Sequence, residues 1–219
     1  MILQQTYRLI RKDFAIELRQ RHALGGILLY VLSTVFITYL AFEKIIEPAT
    51  WNALFWVILL FACVNAVSKS FVQESHARLI YYYTIADPRA VILSKMIYNT
   101  ALTFAIGLIC SGCYMLLYGS MVIHIGLFFG TLFLGCVGLS GMLTLSSGIA
   151  SRSGGNFTMT AILSFPISVP LLITLIRLSS ISLTAEPAFE AWSYLAILAV
   201  LNIIIFMLAY VLFPYIWKE

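Results

Sequence analysis

Gly138-Leu139-Ser140-Gly141 is the run whose residue types come nearest to a nucleophile site. It matches the Gly-x-Ser-Gly pattern with which intramembrane serine proteases offer a hydroxyl to a peptide bond. Such attack needs a base within hydrogen-bond reach of the serine. The histidines are His22, His76 and His124. The first two fall in segments read below as extramembrane, and His124 precedes Ser140 by four to five helical turns, about 24 Å at 1.5 Å per residue. The last apolar run, Ala191 to Trp217, holds no histidine, so serine hydrolysis is not expected. Cys110-Ser111-Gly112-Cys113 has the spacing of a redox dithiol. Reactive pairs sit at electropositive helix N-termini, whereas this one lies deep in an apolar stretch, so with Cys63 and Cys136 it reads as packing. His124 lies near the end of a span, where a haem axial ligand and an ordinary interfacial histidine are both open readings. No His-Glu-x-x-His, paired aspartate cluster or Gly-x-x-x-x-Gly-Lys-Ser/Thr occurs. Metalloprotease, phosphotransferase and P-loop ATP-binding readings therefore fail, and the chain reads as non-enzymatic, with no cofactor or metal site of its own.

The elements that would position these residues follow from charge. From Met96 to Ser151 there is no Lys, Arg, Asp or Glu. One crossing of the hydrocarbon takes about 20 apolar residues, so this run is long enough to cross and return, with the turn near Tyr118-Gly119-Ser120. Composition agrees, with 62% hydrophobic and 10% charged residues where soluble domains carry roughly a quarter charged. Six spans can be read: Leu24 to Phe42, Trp51 to Ser68, Met96 to Tyr118, Met121 to Ala150, Phe157 to Ile176 and Ala191 to Trp217. The expected fold is an all-α integral membrane protein forming a single polytopic domain over 1–219. No room remains for a separate soluble catalytic domain, and no cleavable signal peptide is expected. Of the 13 Lys and Arg, all but Lys44 and Arg177 fall on one side of this topology. The positive-inside bias then puts both termini in the cytoplasm. The net charge of +4 reflects topology and anionic head groups, with no nucleic-acid surface expected.

Residues 1–22 place Leu3, Tyr7, Ile10, Phe14 and Leu18 on one helical face, with Arg8, Arg11, Lys12 and Arg19 mostly elsewhere. This reads as an amphipathic interfacial helix, or more plainly as a topogenic flank. Residues 69–95 form a cytoplasmic loop far longer than the others. It runs through Gln73-Glu74-Ser75-His76-Ala77-Arg78-Leu79 and Tyr81-Tyr82-Tyr83 to a break at Asp87-Pro88. A short helix there could take force from a soluble partner, although a solvated connector fits too.

The fifth span contains Pro166-Ile167-Ser168-Val169-Pro170. Each proline removes a donor and frees a carbonyl, so a kink or break is expected, either static or in a moving, path-lining element marked by Pro166, Ser168 and Pro170. The fourth span is rich in small residues. Gly126 and Gly130 form a small-xxx-small pair, expected to pack tightly inside the bundle or at a dimer seam.

Six spans, an interfacial helix, one long inner loop and no motor suggest the membrane subunit of a split transporter. Leu132-Phe-Leu-Gly-Cys-Val-Gly-Leu-Ser-Gly141, Ser151-Arg152-Ser153-Gly154-Gly155 and Ser164-Phe-Pro-Ile-Ser-Val-Pro-Leu-Leu-Ile173 carry a resemblance. The chain resembles the haem exporter protein B family, CcmB-like membrane subunits of the cytochrome c maturation ABC transporter. In that family a basic residue and Gly-Gly join spans 4 and 5, and a Pro-x-x-x-Pro-Leu-Leu-Ile run follows. Pro88 to Lys95 is similar to that family's approach to span 3. The resemblance implies an ABC-2 type permease of the bacterial inner membrane, acting in cytochrome c-type biogenesis and haem transport. Its implied partners are a separate ABC ATPase subunit, a haem-handling integral membrane subunit, a periplasmic haem chaperone and a second copy of itself. ATP would enter through the partner, and release or export of the haem-loaded chaperone would be the output. By the same resemblance, Glu74, Arg78, Asp87 and Arg89 would couple to the ATPase, and Gly154 and Gly155 would join tightly packed spans. The chain departs from the family at Ser75-His76-Ala77-Arg78-Leu79, where an Asp-Gly-x-Leu-Glu-like stretch is usual. The alternatives are a generic ABC-2 exporter for lipid, glycan or drug, and a non-transporting membrane scaffold.

Overall fold

The computed structural model describes residues 2–19, 21–42, 47–68, 87–152, 157–184 and 188–218. Among them lie seven α-helices and no strand: α1 (Ile2–Arg19), α2 (Arg21–Ala41), α3 (Pro48–Val67), α4 (Pro88–Tyr118), α5 (Ile125–Arg152), α6 (Phe157–Leu183) and α7 (Ala191–Lys218). One 3₁₀ turn, Ala188–Glu190, leads into α7. Five helices, α3 to α7, are long and apolar enough to cross a membrane, and α2 contributes a shorter apolar stretch, Gly25–Ala41.

Local chemistry sets the helix ends. Prolines at the first positions of α3 and α4 fix φ where no intrahelical N–H bond is lost. The α4 run ends at Tyr118, and Gly119 follows at φ 82°, a left-handed conformation suited to glycine. The expected turn is there, though the next helix starts at Ile125 rather than Met121. The third span also starts earlier than expected. Its 31 residues would extend about 46 Å, beyond the roughly 30 Å hydrocarbon core, so its first turns and the buried Lys95 belong to the interfacial layer. In α6 the helix runs through Arg177 to Leu183, which puts that exposed arginine inside the last turns instead of in a loop.

The helices alternate in direction. Tyr39 near the end of α2 meets Tyr118 at the end of α4, with ring centroids 5.3 Å apart. At the start of α3, Trp51 meets Tyr114 edge-on and Phe128 at a tilt, with ring centroids 5.2 and 6.0 Å apart. Ile123 and His124 donate backbone N–H groups to the Ser182 carbonyl at 2.9 and 3.0 Å. These contacts mark one end of the bundle. The other gathers α1, the start of α4 and the last turns of α7, and Ser147 near the end of α5 reaches the Ser68 carbonyl after α3 at 3.1 Å.

The central helix is α5, which packs on α3, α4, α6 and α7. Its apolar span is 56% buried against 22% for α7. Small residues allow this close approach. Added Cβ atoms would meet Trp56 at 2.8 Å from Gly135 and Leu171 at 2.9 Å from Gly138. Gly126 and Gly130, expected to mark the tight contact, are exposed, and a Cβ on either meets nothing within 4 Å. Within the chain, close packing therefore falls one to two turns further along α5.

Candidate functional site: a three-helix corner and intramembrane polar seams

The corner at the terminal end is built on Asp87. Held extended at φ −64° and ψ 127°, this residue caps α4, its side chain accepting from the Arg89 N–H at 2.9 Å. The aspartate occupies the N-cap role because its carboxylate satisfies an N–H that the first helical turn leaves open. Its own N–H lies 3.4 Å from Gln5 Oε1 on α1. The Arg89 guanidinium sits 5.1 Å above the Tyr210 ring on α7, a cation–π contact. Behind these polar groups, Val91, Ile92 and Met96 of α4 form an apolar cluster with Leu145, Ala209 and Phe213, against which Leu9 of α1 packs. Phe14 closes edge-on against Tyr98 at 5.1 Å.

Against the bundle, α1 turns a face other than its apolar stripe. Thr6 and Asp13 are buried and Leu9 packs inward, while Tyr7 is 68% exposed and Phe14 42% exposed. The stripe read as apolar is thus rotated to one edge, beside the exposed Arg8 and Arg11. Asp13 is tolerated in its buried position by Lys12, whose Nζ lies 3.0 Å from its carboxylate.

Of the four residues expected to couple, Asp87 and Arg89 are brought together at this corner, and Glu74 and Arg78 lie outside the described residues, as does the expected helix in that loop. Gly154 and Gly155 lie outside them as well. Pro166 and Pro170 do not break α6, which is continuous from Phe157 to Leu183. Both prolines are exposed. Ser168 is buried and donates to the Phe165 carbonyl at 2.7 Å, and Thr174 donates to the Pro170 carbonyl at 2.8 Å. In the isolated chain Pro166 and Pro170 thus face outward and Ser168 inward.

Two polar seams inside the bundle were not read from the sequence. Between α3 and α6, Asn52 donates to the Ile176 carbonyl at 2.8 Å and accepts from Ser179 Oγ at 2.6 Å, and Trp56 Nε1 donates to the same Ser179 Oγ at 2.8 Å. Between α4 and α5, Asn99 donates to Thr144 Oγ1 at 2.8 Å, and the Thr100 and Ser140 hydroxyls lie 2.6 Å apart. One turn on, Thr103 and Cys136 exchange side-chain contacts with each other's carbonyls at 3.4 and 3.5 Å. The available signal was asparagine inside apolar spans, Asn52, Asn99 and Asn202 among them, since an amide in hydrocarbon needs a partner on another helix. The serine of the Gly-x-Ser-Gly motif is part of the second seam, its hydroxyl also donating to Val137 O at 3.1 Å. Cys63, Cys110, Cys113 and Cys136 are free thiols. Among the described residues no three His, Cys, Asp or Glu side chains gather as a metal-binding group.

This arrangement fastens helices together and exposes a corner, and it assembles no catalytic constellation. Residues 4–215 match the family model described as CcmB protein. The chain belongs to the CcmB family. No curated protein matches it. As a CcmB family member it is a multi-pass membrane protein of cytochrome c biogenesis, the membrane component of a haem-exporting ABC transporter. Subunits of this type are generally non-catalytic.

Proposed function

We propose that this CcmB-family chain is a permease subunit of ABC-2 type that receives work from a separate ATPase subunit and spends it on release or export of a haem-loaded periplasmic chaperone. In this reading residues 1–219 form one polytopic domain with six crossings in the bacterial inner membrane, both termini cytoplasmic. The sixth crossing is α2, whose 17-residue apolar stretch is at the short limit for a span. The observation that carries the reading is the corner itself. The segment 69–86 rejoins the bundle at Asp87, which is tied to α1 through Gln5 and, through Arg89, to α7. Force applied to that segment would reach three helices at once. Glu74 and Arg78 supply its ionic contacts to the ATPase, while Asp87 and Arg89 anchor its exit. A haem-handling membrane subunit and a second copy of the chain complete the complex, with ATP bound by the partner and haem handled by the assembly.

The test is a detergent pull-down of the chain with mass spectrometry of partners and a haem absorbance scan, repeated with Glu74→Ala and Arg78→Ala combined. The expected result is an ATPase and haem-chaperone components with the native chain, and loss of the ATPase with the double variant. An ATPase without haem machinery would favour the generic exporter, and absence of any ATPase would overturn the transporter reading.

A further inference from the structure

The outer face of α7 carries an open apolar groove of about 350 Å³, lined by Ile203, Phe206, Met207 and Tyr210. These residues recur at helical spacing along about 10 Å of the helix. Ile203 and Met207 are 58% and 62% exposed, so the groove opens sideways, toward the acyl chains of a surrounding bilayer. The exposed residues beside it, Val200, Ile204 and Val211, are apolar as well. At the Tyr210 end the character changes abruptly, because Arg89 stands over the Tyr210 ring at 5.1 Å. Arg89 is exposed and makes no ion pair with a described carboxylate. The nearby Asp87 caps α4, its Oδ1 accepting from the Arg89 backbone N–H. The cation lies in the first turn of α4, ahead of the charge-free run that begins at Met96, which is the level at which head groups begin.

We propose that this groove and Arg89 together form a binding site for one anionic phospholipid, with an acyl chain along Ile203 to Tyr210 and the phosphate at Arg89. Charge complementarity selects the occupant. A guanidinium offers paired donors to phosphate oxygens, and the groove walls are apolar apart from the Tyr210 hydroxyl. The sideways opening gives access to a molecule already in the bilayer. The site is independent of whether an ATPase docks on the neighbouring loop.

Native mass spectrometry of the whole chain, with phosphatidylglycerol and phosphatidylcholine of identical acyl chains, tests it. Retention of phosphatidylglycerol should exceed that of phosphatidylcholine by about fivefold, the ratio for one basic residue at a membrane surface. Arg89→Gln should abolish the preference and Arg89→Lys should keep part of it. Met207→Trp, on an exposed face where folding is not at stake, should lower retention of both lipids by filling the groove. Equal retention by the native chain, an undiminished preference in Arg89→Gln, or unchanged retention in Met207→Trp would overturn the proposal. So would haemin displacing phosphatidylglycerol while phosphatidylcholine fails to, since the site would then have been built for another occupant.

Discussion

Gly138 of α5 faces Asn202 of α7 so closely that a Cβ on the glycine would stand 2.5 Å from the asparagine Oδ1. The amide cannot simply swing aside, because its nitrogen donates to the Leu134 carbonyl at 3.1 Å. A helix that is otherwise mostly exposed thereby approaches the centre of the bundle where one amide meets one missing side chain, beside its buried Leu198, Ile205, Ala209 and Phe213.

Gly138→Ala is accordingly expected to destabilise the chain by about 1–3 kcal/mol, the usual range for overpacking. Gly135→Ala should do the same, since its Cβ would meet Trp56 at 2.8 Å and Leu175 at 2.9 Å, and Trp56 is itself held by Ser179. Gly126→Ala should leave the melting temperature of the isolated chain unchanged or slightly raised, because open space surrounds that position and alanine favours helix. Thermal unfolding of purified protein in detergent reads all three. If Gly126→Ala instead weakens only the assembled complex, a second copy packs on that face.

The seam between α3 and α6 gives a second test. Asn52 joins two hydrogen bonds in one side chain, and Ser179 links it to Trp56. Asn52→Leu keeps the volume but removes both bonds, leaving the Ser179 hydroxyl to donate only to its own helix carbonyls while it still accepts from Trp56. Interhelical hydrogen bonds in membranes average about 0.6 kcal/mol and reach about 1.7, so a loss of about 1–2 kcal/mol is expected. In a double-mutant cycle with Ser179→Ala, the combined loss should fall short of the sum of the two single losses. Strict additivity would mean that the two side chains do not act as a unit.

Asp87 offers a test of the corner. Asp87→Ala removes the cap on α4 and should cost about 1 kcal/mol. Asp87→Asn preserves an acceptor oxygen and should behave nearly as the native chain. Hydrogen exchange resolves the site, with faster exchange at Arg89 and the following residues in Asp87→Ala and little change in the middle of α4. Uniformly faster exchange along α4 would show that the first turn carries more of the helix than its cap suggests.

Much of this architecture can be read in the sequence, because membrane crossing imposes a coarse rule on long segments. The 56 uncharged residues from 96 to 151 foretell two crossings and the turn that Gly119 makes, and the prolines at 48 and 88 mark helix starts. Contacts between helices depend on rotation about each axis, and composition does not encode that. Gly126 and Gly130 look like the packing glycines by spacing, yet within the chain Gly135 and Gly138 do the packing, which leaves the other two free for a dimer seam. On α1, Tyr7 and Phe14 of the apolar stripe stay exposed, open to a membrane interface, while Thr6, Leu9 and Asp13 face the bundle. Of the kink or break expected at Pro166 and Pro170, the break does not occur. Both lie on the outside of α6, where the neighbouring turns carry the helix through.

Orientation can be decided by labelling, and the native cysteines make the experiment clean. Cys63, Cys110 and Cys136 are buried and Cys113 is half-buried, so an impermeant maleimide should report chiefly on introduced thiols. Gln4 on α1 and Glu47 before α3 are both exposed, and α2 separates them. If α2 crosses the bilayer as the sixth span, Glu47→Cys should label in intact cells and Gln4→Cys only after the membrane is opened, because the basic terminal end is retained inside. Ser120→Cys, in the turn after α4, should behave like Glu47→Cys. If α2 instead lay along the surface, Gln4→Cys and Glu47→Cys would label from the same side. The chain would then have five crossings, and α1 would sit apart from the start of α4. That outcome conflicts with the contacts joining Gln5 to Asp87 and Leu9 to the apolar cluster at the start of α4, so the labelling pattern and the corner stand or fall together.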